Sequence, residues 1–159
     1  MARDDYSPER IADRMQIQDC IYRWCRAVDR LDYEGMRASF HPDAVDKHGA
    51  FDGDINGLVE WIRARHAAIP FSMHALDQLA GGRAGSGVGA MDLLTCSRYV
   101  DRFERRDGEW KIALRTLVAD WKQFVEVPQG QPKPPASQEV GRRNDDDFIY
   151  RERRALGIS

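Results

Sequence analysis

The sequence predicts an α+β fold in which N-terminal helices pack on one face of a curved antiparallel sheet. Two periodicities and one turn carry that prediction. Ile17, Ile21, Trp24, Cys25 and Val28 recur at steps of three and four, which places them on one stripe of a helix. From Phe71 onward the period changes to two, the signature of strands. Arg106-Asp107-Gly108-Glu109 then sets Asp-Gly between two alternating segments, where a type I′ hairpin needs positive φ.

Each element has its own signal. Ser7-Pro8-Glu9 reads as N-cap, first helical residue and first-turn acid of a helix running to about Arg30. Asp32 caps a second helix, Tyr33 to Phe40, which His41-Pro42-Asp43 ends because the residue before a proline leaves the helical region. Ala44 to His48 is a short strand, Asp52-Gly53-Asp54 a polar turn, and Gly57 to Ala68 a third helix closed by Pro70. Phe71 to Leu79 reads as a strand and Gly81 to Gly87 as a flexible turn. Val88 to Arg106 reads as a long, bulged strand and Trp110 to Phe124 as its return. A two-residue turn places Phe103 opposite Ile112 and Val100 opposite Arg115. Residues 1–127 thus form one domain. The proline-rich 128–135 begins an extended connector, and a charged tail runs to 159, anchored by Phe148, Ile149 and Tyr150.

Composition excludes several classes of function. The chain carries 24 Lys+Arg against 26 Asp+Glu, a formal charge of -2, which supplies no field for nucleic acid or an anionic membrane. Its 3 cysteines, Cys20, Cys25 and Cys96, cannot all pair, so free thiols in a reducing compartment are expected. The N-terminus has no apolar h-region and no segment is long and apolar enough to span a bilayer, so the expected location is cytoplasmic.

Three residues interrupt apolar neighbourhoods. Asp29 stands near the apolar stripe at a helix C-terminus, where the macrodipole disfavours a carboxylate unless something else holds it. His74 lies mid-strand. Arg115 shares a face with Ala113, Leu117, Ala119 and Trp121, and burying it requires an anion or carboxylate partner. Taken singly, His74 reads as a core histidine and Asp29 as an exposed helix end. Together they suit acid–base chemistry, because a carboxylate beside an imidazole selects its tautomer and stabilises the imidazolium. Arg115 would steady developing negative charge. Proton abstraction followed by elimination or isomerisation needs no metal, no cofactor and no covalent intermediate. His41, Asp43, Asp46 and His48 gather metal-ligand types, but they cross a helix end into a strand and do not readily converge. The candidate pocket residues are Trp24, Cys25, Cys96 and Leu117.

The order Ile17-Gln18-Asp19, Trp24 to Asp29 and Asp32, Ser72-x-His74-x-x-x-Gln78, and Tyr99 to Arg115 resembles the SnoaL-like branch of the NTF2-like superfamily. Within it, the chain is similar to the group containing scytalone dehydratase, bile-acid 7α-dehydratase and hexachlorocyclohexane dehydrochlorinase. The resemblance implies a cone-shaped α+β barrel enclosing a pocket, with Asp29 and His74 as the dyad and Arg115 as the strand arginine. Two positions depart from the pattern: Trp24 stands where many members carry Tyr, and Gln78 where Asn is usual. Indole cannot take over acid work carried by a phenol. The expected function is a cofactor-independent lyase of the dehydratase type. Its substrate would be a small hydrophobic alicyclic, polyketide-like or steroid-like molecule. The alternatives are an isomerase or hydrolase in the same pocket, or a non-catalytic small-molecule-binding protein. An exposed outer sheet face adds the expectation of a homo-oligomer, and relatives of this branch are commonly trimers or dimers.

Overall fold

The computed structural model describes residues 6–75, 79–84, 89–130 and 132–158. Helix α1 spans Pro8–Arg30, with the Ser7 hydroxyl accepting a hydrogen bond from the Arg10 amide at 3.4 Å. It stops at Leu31, which adopts φ 57°, and Asp32 then caps α2 (Tyr33–Ala38) by accepting from the Gly35 amide at 2.8 Å. Strand β1 (Phe40–Lys47) begins where helix was expected and runs through Pro42. The ladder tolerates this proline because it lies in the irregular stretch between the Phe40–Ile112 and Val45–Leu114 pairs, where no regular partner requires its missing N–H. Asp52–Asp54, expected as a turn, is a short strand β2 paired with the end of β1, and the reversal is made at Gly49 with φ 79°. Helix α3 covers Ile55–His66, capped by Asp54.

Among the described residues six strands form one sheet in the order β2-β1-β6-β5-β4-β3, with β3 at Phe71–Ala75, β4 at Leu79–Ala84, β5 at Met91–Arg106 and β6 at Glu109–Glu126. Neighbours are antiparallel except β1 and β6, which run parallel, so the sheet is mixed. The expected glycine-rich turn is instead partly strand: Gly81 and Gly82 pair with Met73 and Ser72 on one side and with Leu94 and Leu93 on the other. Gln78 and residues 85–88 lie outside the described residues. The helices close over the inner face, and Cys20, Met36, Leu58, Val59 and Ile112 are buried in the core between them and the sheet.

The β5–β6 hairpin turns at Asp107 (φ 52°) and Gly108 (φ 84°), as the Asp-Gly signal requires. Phe103 faces Ile112 as expected, but the next pair is Arg102–Leu114, leaving Ala113 as an extra residue in β6. The register therefore slips by one, and Arg115 stands opposite Asp101 rather than Val100. A second bulge leaves Asp120 without an opposite number. It turns Trp121 away from the face it was expected to share with Leu117, and the indole is 46% exposed on the outer face.

The tail is more structured than its composition suggested. Asp147 caps a helix α4 (Phe148–Ala155), accepts from the Arg142 amide at 2.6 Å and meets Arg30 at 3.0 Å. Arg143 and Asp147 anchor this segment; of the three expected apolar anchors Tyr150 is half-buried, whereas Phe148 and Ile149 are exposed.

A Gly108→Val variant forces a β-branched residue to positive φ, at a cost of about 1–2 kcal/mol. Thermal unfolding should show a melting temperature lower by roughly 3–6 °C. An unchanged melting temperature would contradict the turn geometry.

Candidate active site

The helices and the sheet line a partly open cavity of about 900 Å³. Trp24 and Val28 of α1, Trp61 and Ile62 of α3, and Leu93 and Leu117 of the sheet give it a mainly apolar wall. Three histidines, His48, His66 and His74, also reach it.

His74 and Asp29 are brought together. The Asp29 carboxylate is buried at the end of α1 and, among the described residues, receives three hydrogen bonds, all from the β3 segment. These come from the His74 ring Nδ1 at 2.8 Å, the His74 backbone N–H at 2.7 Å and the Ser72 hydroxyl at 2.9 Å. Alternation along β3 makes this possible, because Ser72 and His74 share a face. With Nδ1–H committed to Asp29, His74 presents Nε2 to the cavity, 3.4 Å from the Tyr99 hydroxyl. Burial works against the Asp29 charge. The hydrogen bonds and electrostatic attraction of His74, together with the Ser72 hydroxyl, outweigh it and hold the carboxyl below its ordinary pKa. The Tyr99 phenol is pushed up to about 12, first by burial, so at neutral pH it is a hydrogen-bond donor.

Arg115 lies apart from this pair. Its side chain is fully buried and bidentate to Asp101, with Nε–Oδ1 at 2.8 Å and Nη2–Oδ2 at 2.6 Å. Residues on the cavity wall include Asp101 and Tyr99 but not Arg115. The guanidinium instead lies 3.8 Å from the centre of the Tyr99 ring and 5.0 Å from that of Trp24, supporting two wall residues from behind.

Of the candidate pocket residues, Trp24 and Leu117 are on the wall. Cys25 is in the core, and burial pushes its thiol up to about 12, which removes any nucleophilic role. Cys96 alternates with the cavity residues Thr95 and Ser97 and so points away from the cavity. All three cysteines are free thiols. His41 Nε2 bonds to the Glu104 carbonyl at 2.9 Å and Asp43 pairs with Arg106, so neither joins Asp46 and His48.

Sequence reading missed the contribution of the tail. Arg143 donates to the carbonyls of Val28, Asp29 and Ile69 at 2.8–3.0 Å and meets His66 Nδ1 at 3.0 Å. A cation is well placed there, because the last carbonyls of a helix lack intrahelical donors. Its effect on His66 is opposite to that of Asp29 on His74. Burial first, and then the charge of Arg143, lower the His66 pKa to about 4, so this imidazole is neutral near pH 7.

Two measurements check this geometry. Replacing Asp101 with Ala leaves Arg115 buried without its carboxylate, and denaturant unfolding should show a loss of about 3–5 kcal/mol. The stabilisation from ionised Asp29 is complete above the ordinary carboxyl pKa of about 4 and is lost as pH falls through its lower folded value. The stability gap between the native chain and Asp29→Asn should therefore be full near pH 6–7 and close below about pH 4.

Residues 9–80 match the family model of the SnoaL-like domain. Among solved structures, hexachlorocyclohexane dehydrochlorinase LinA-type3 from Novosphingobium barchaimii superposes with a TM-score of 0.61 at 18% identity, over 79% of this chain and 97% of that one. A candidate scytalone dehydratase from Novosphingobium aromaticivorans gives 0.57 at 14% identity, over 78% and 97%. A candidate aromatic ring hydroxylase from the same species gives 0.57 at 23% identity, over 74% and 94%. No curated protein matches the chain in sequence. The matched stretch is thus similar to the SnoaL-like domain, and the helices closing a curved mixed sheet share the α+β fold of these solved structures.

Proposed function

We propose that the cavity is the active site of a cofactor-independent lyase of the dehydratase type. The observation that carries this reading is the clamp on Asp29, whose three hydrogen bonds leave His74 Nε2 facing the cavity beside a protonated phenol. Such an imidazole can take a proton from carbon next to a carbonyl or beside a leaving group. Asp29 keeps Nδ1 protonated and stabilises the imidazolium that forms. The Tyr99 hydroxyl is placed to donate to an oxygen that gains charge. Arg115 fixes Tyr99 and Asp101 without touching the substrate. The dominance of apolar wall residues favours a small alicyclic, polyketide-like or steroid-like substrate. Two structural neighbours bear names, dehydrochlorinase and dehydratase, that denote eliminations.

The test is a mass-spectrometric screen of hydroxylated and halogenated alicyclic ketones for loss of water or hydrogen halide. His74→Ala and Asp29→Asn should each reduce turnover by at least about 10²-fold while circular dichroism stays native. Conservation of mass would assign an isomerase, and gain of water a hydrolase. Near-normal elimination by either variant, or binding of the panel without chemical change, would overturn the lyase reading.

A further inference from the structure

The cavity holds a second histidine–carboxylate pair built on the same plan as the first. Asp46 and His48 are two residues apart, spanning the end of β1, so both side chains turn to the inner face. The Asp46 carboxylate is completely buried, and its Oδ1 meets His48 Nδ1 at 2.7 Å. The His48 side chain is 13% exposed and that of His74 14%, and both reach the cavity while their carboxylates sit behind them. In each pair Nδ1 is occupied by a carboxylate, which leaves Nε2 for a ligand. His66, the third cavity histidine, has a guanidinium at Nδ1 instead, and burial together with that charge lowers its pKa to about 4.

The position of the second pair fits a division of labour. β1 and β3 lie toward opposite ends of the sheet, and the curvature brings them round Tyr99 of β5. The Tyr99 hydroxyl is near His74 Nε2, while its ring centre is 6.1 Å from that of His48. His48 also packs against Trp61, with ring centres 5.7 Å apart. A ligand in contact with Tyr99 is thus flanked by two imidazoles, each with its own buried carboxylate. The cost of burying Asp46 supports a role beyond packing. Among the described residues its Oδ2 has no hydrogen-bond partner, and neither does Nη1 of Arg115, which stands opposite Asp46 in the β1–β6 register.

We propose that His48, oriented by Asp46, is the general acid of this site and protonates the departing oxygen. This role rests on the lyase reading of the cavity. The carbon-bound proton passes to His74 Nε2, and the C–H electron pair becomes the new C=C bond. The C–O bond breaks toward oxygen, and the proton on His48 Nε2 completes a molecule of water. His74 ends protonated and His48 neutral, and exchange with solvent restores both. A halide leaves without needing a proton, so the requirement for His48 depends on the leaving group.

That dependence is the test. A hydroxylated substrate from the screen is compared with its chloro counterpart, using His48→Gln, Asp46→Asn and His74→Ala. His48→Gln should lose about 10²–10⁴-fold on the hydroxyl compound and less than about 10-fold on the chloride, with Asp46→Asn following the same pattern more weakly. His74→Ala should lose both reactions. Equal losses of the two leaving groups, or none, in His48→Gln while His74→Ala is inactive would overturn the role of His48 and leave the lyase reading standing. Activity retained by His74→Ala would instead overturn the lyase. Should the His48 variant not fold, carbethoxylation of the native protein with diethyl pyrocarbonate and peptide mapping decides the geometry. His48 and His74 should both be modified, with His41 spared, and an unmodified His48 would overturn the proposal.

Discussion

The rest of the site depends on the burial of one permanent cation. Arg115 is removed from water altogether, which is tolerable only because Asp101 meets it with two short hydrogen bonds across the β5–β6 ladder. That meeting depends on a single extra residue, Ala113, whose bulge shifts the register so that Asp101 replaces Val100 as the partner. Once fixed, the guanidinium supplies a flat, charged base for Tyr99 and Trp24 and lies beside Asp46 in the neighbouring strand. A backbone irregularity thus sets the cavity wall.

Three imidazoles share one cavity, and what stands behind each decides what it can do. Asp29 and Asp46 each occupy an Nδ1, whereas Arg143 occupies that of His66. The ring is the same in all three cases. The partner at each Nδ1 is therefore a residue that does not line the cavity, drawn from a helix end, a strand and the C-terminal tail.

Local patterns in the sequence reported local structure well. The Asp-Gly turn, the Ser7 and Asp32 caps and the apolar stripe from Ile17 to Val28 required only neighbours in the chain to be read correctly. The pairing of Asp29 with His74 was legible because each was an unusual residue for its place and the family resemblance joined them. The failures have a common cause in long-range geometry. Pro42 is compatible with a strand only because its partner strand is out of register there, and Trp121 leaves the inner face only because Asp120 is bulged. Asp46 and His48 did carry a signal, two residues apart at a strand end. It was obscured by His41 and Asp43, which invited a metal reading before the strand was seen to begin at Phe40. Arg143 carried none, because nothing in a proline-rich, charged tail marks which cation will find a helix end.

The hold of Arg143 has a consequence for the order in which the molecule is completed. Its bond to the Val28 carbonyl joins residues 115 positions apart, so it closes one of the longest loops in the chain. Contacts of that separation are late in folding, because the entropy of closing the loop is spent before any local gain returns it. During synthesis helices α1 to α3, the sheet and both histidine–carboxylate pairs leave the ribosome before Arg143 does. Until the tail docks, His66 lacks the guanidinium at its Nδ1, one of the causes, after burial, that lower its pKa. The C-terminal segment is the step that matures the electrostatics of a pocket whose walls are already built.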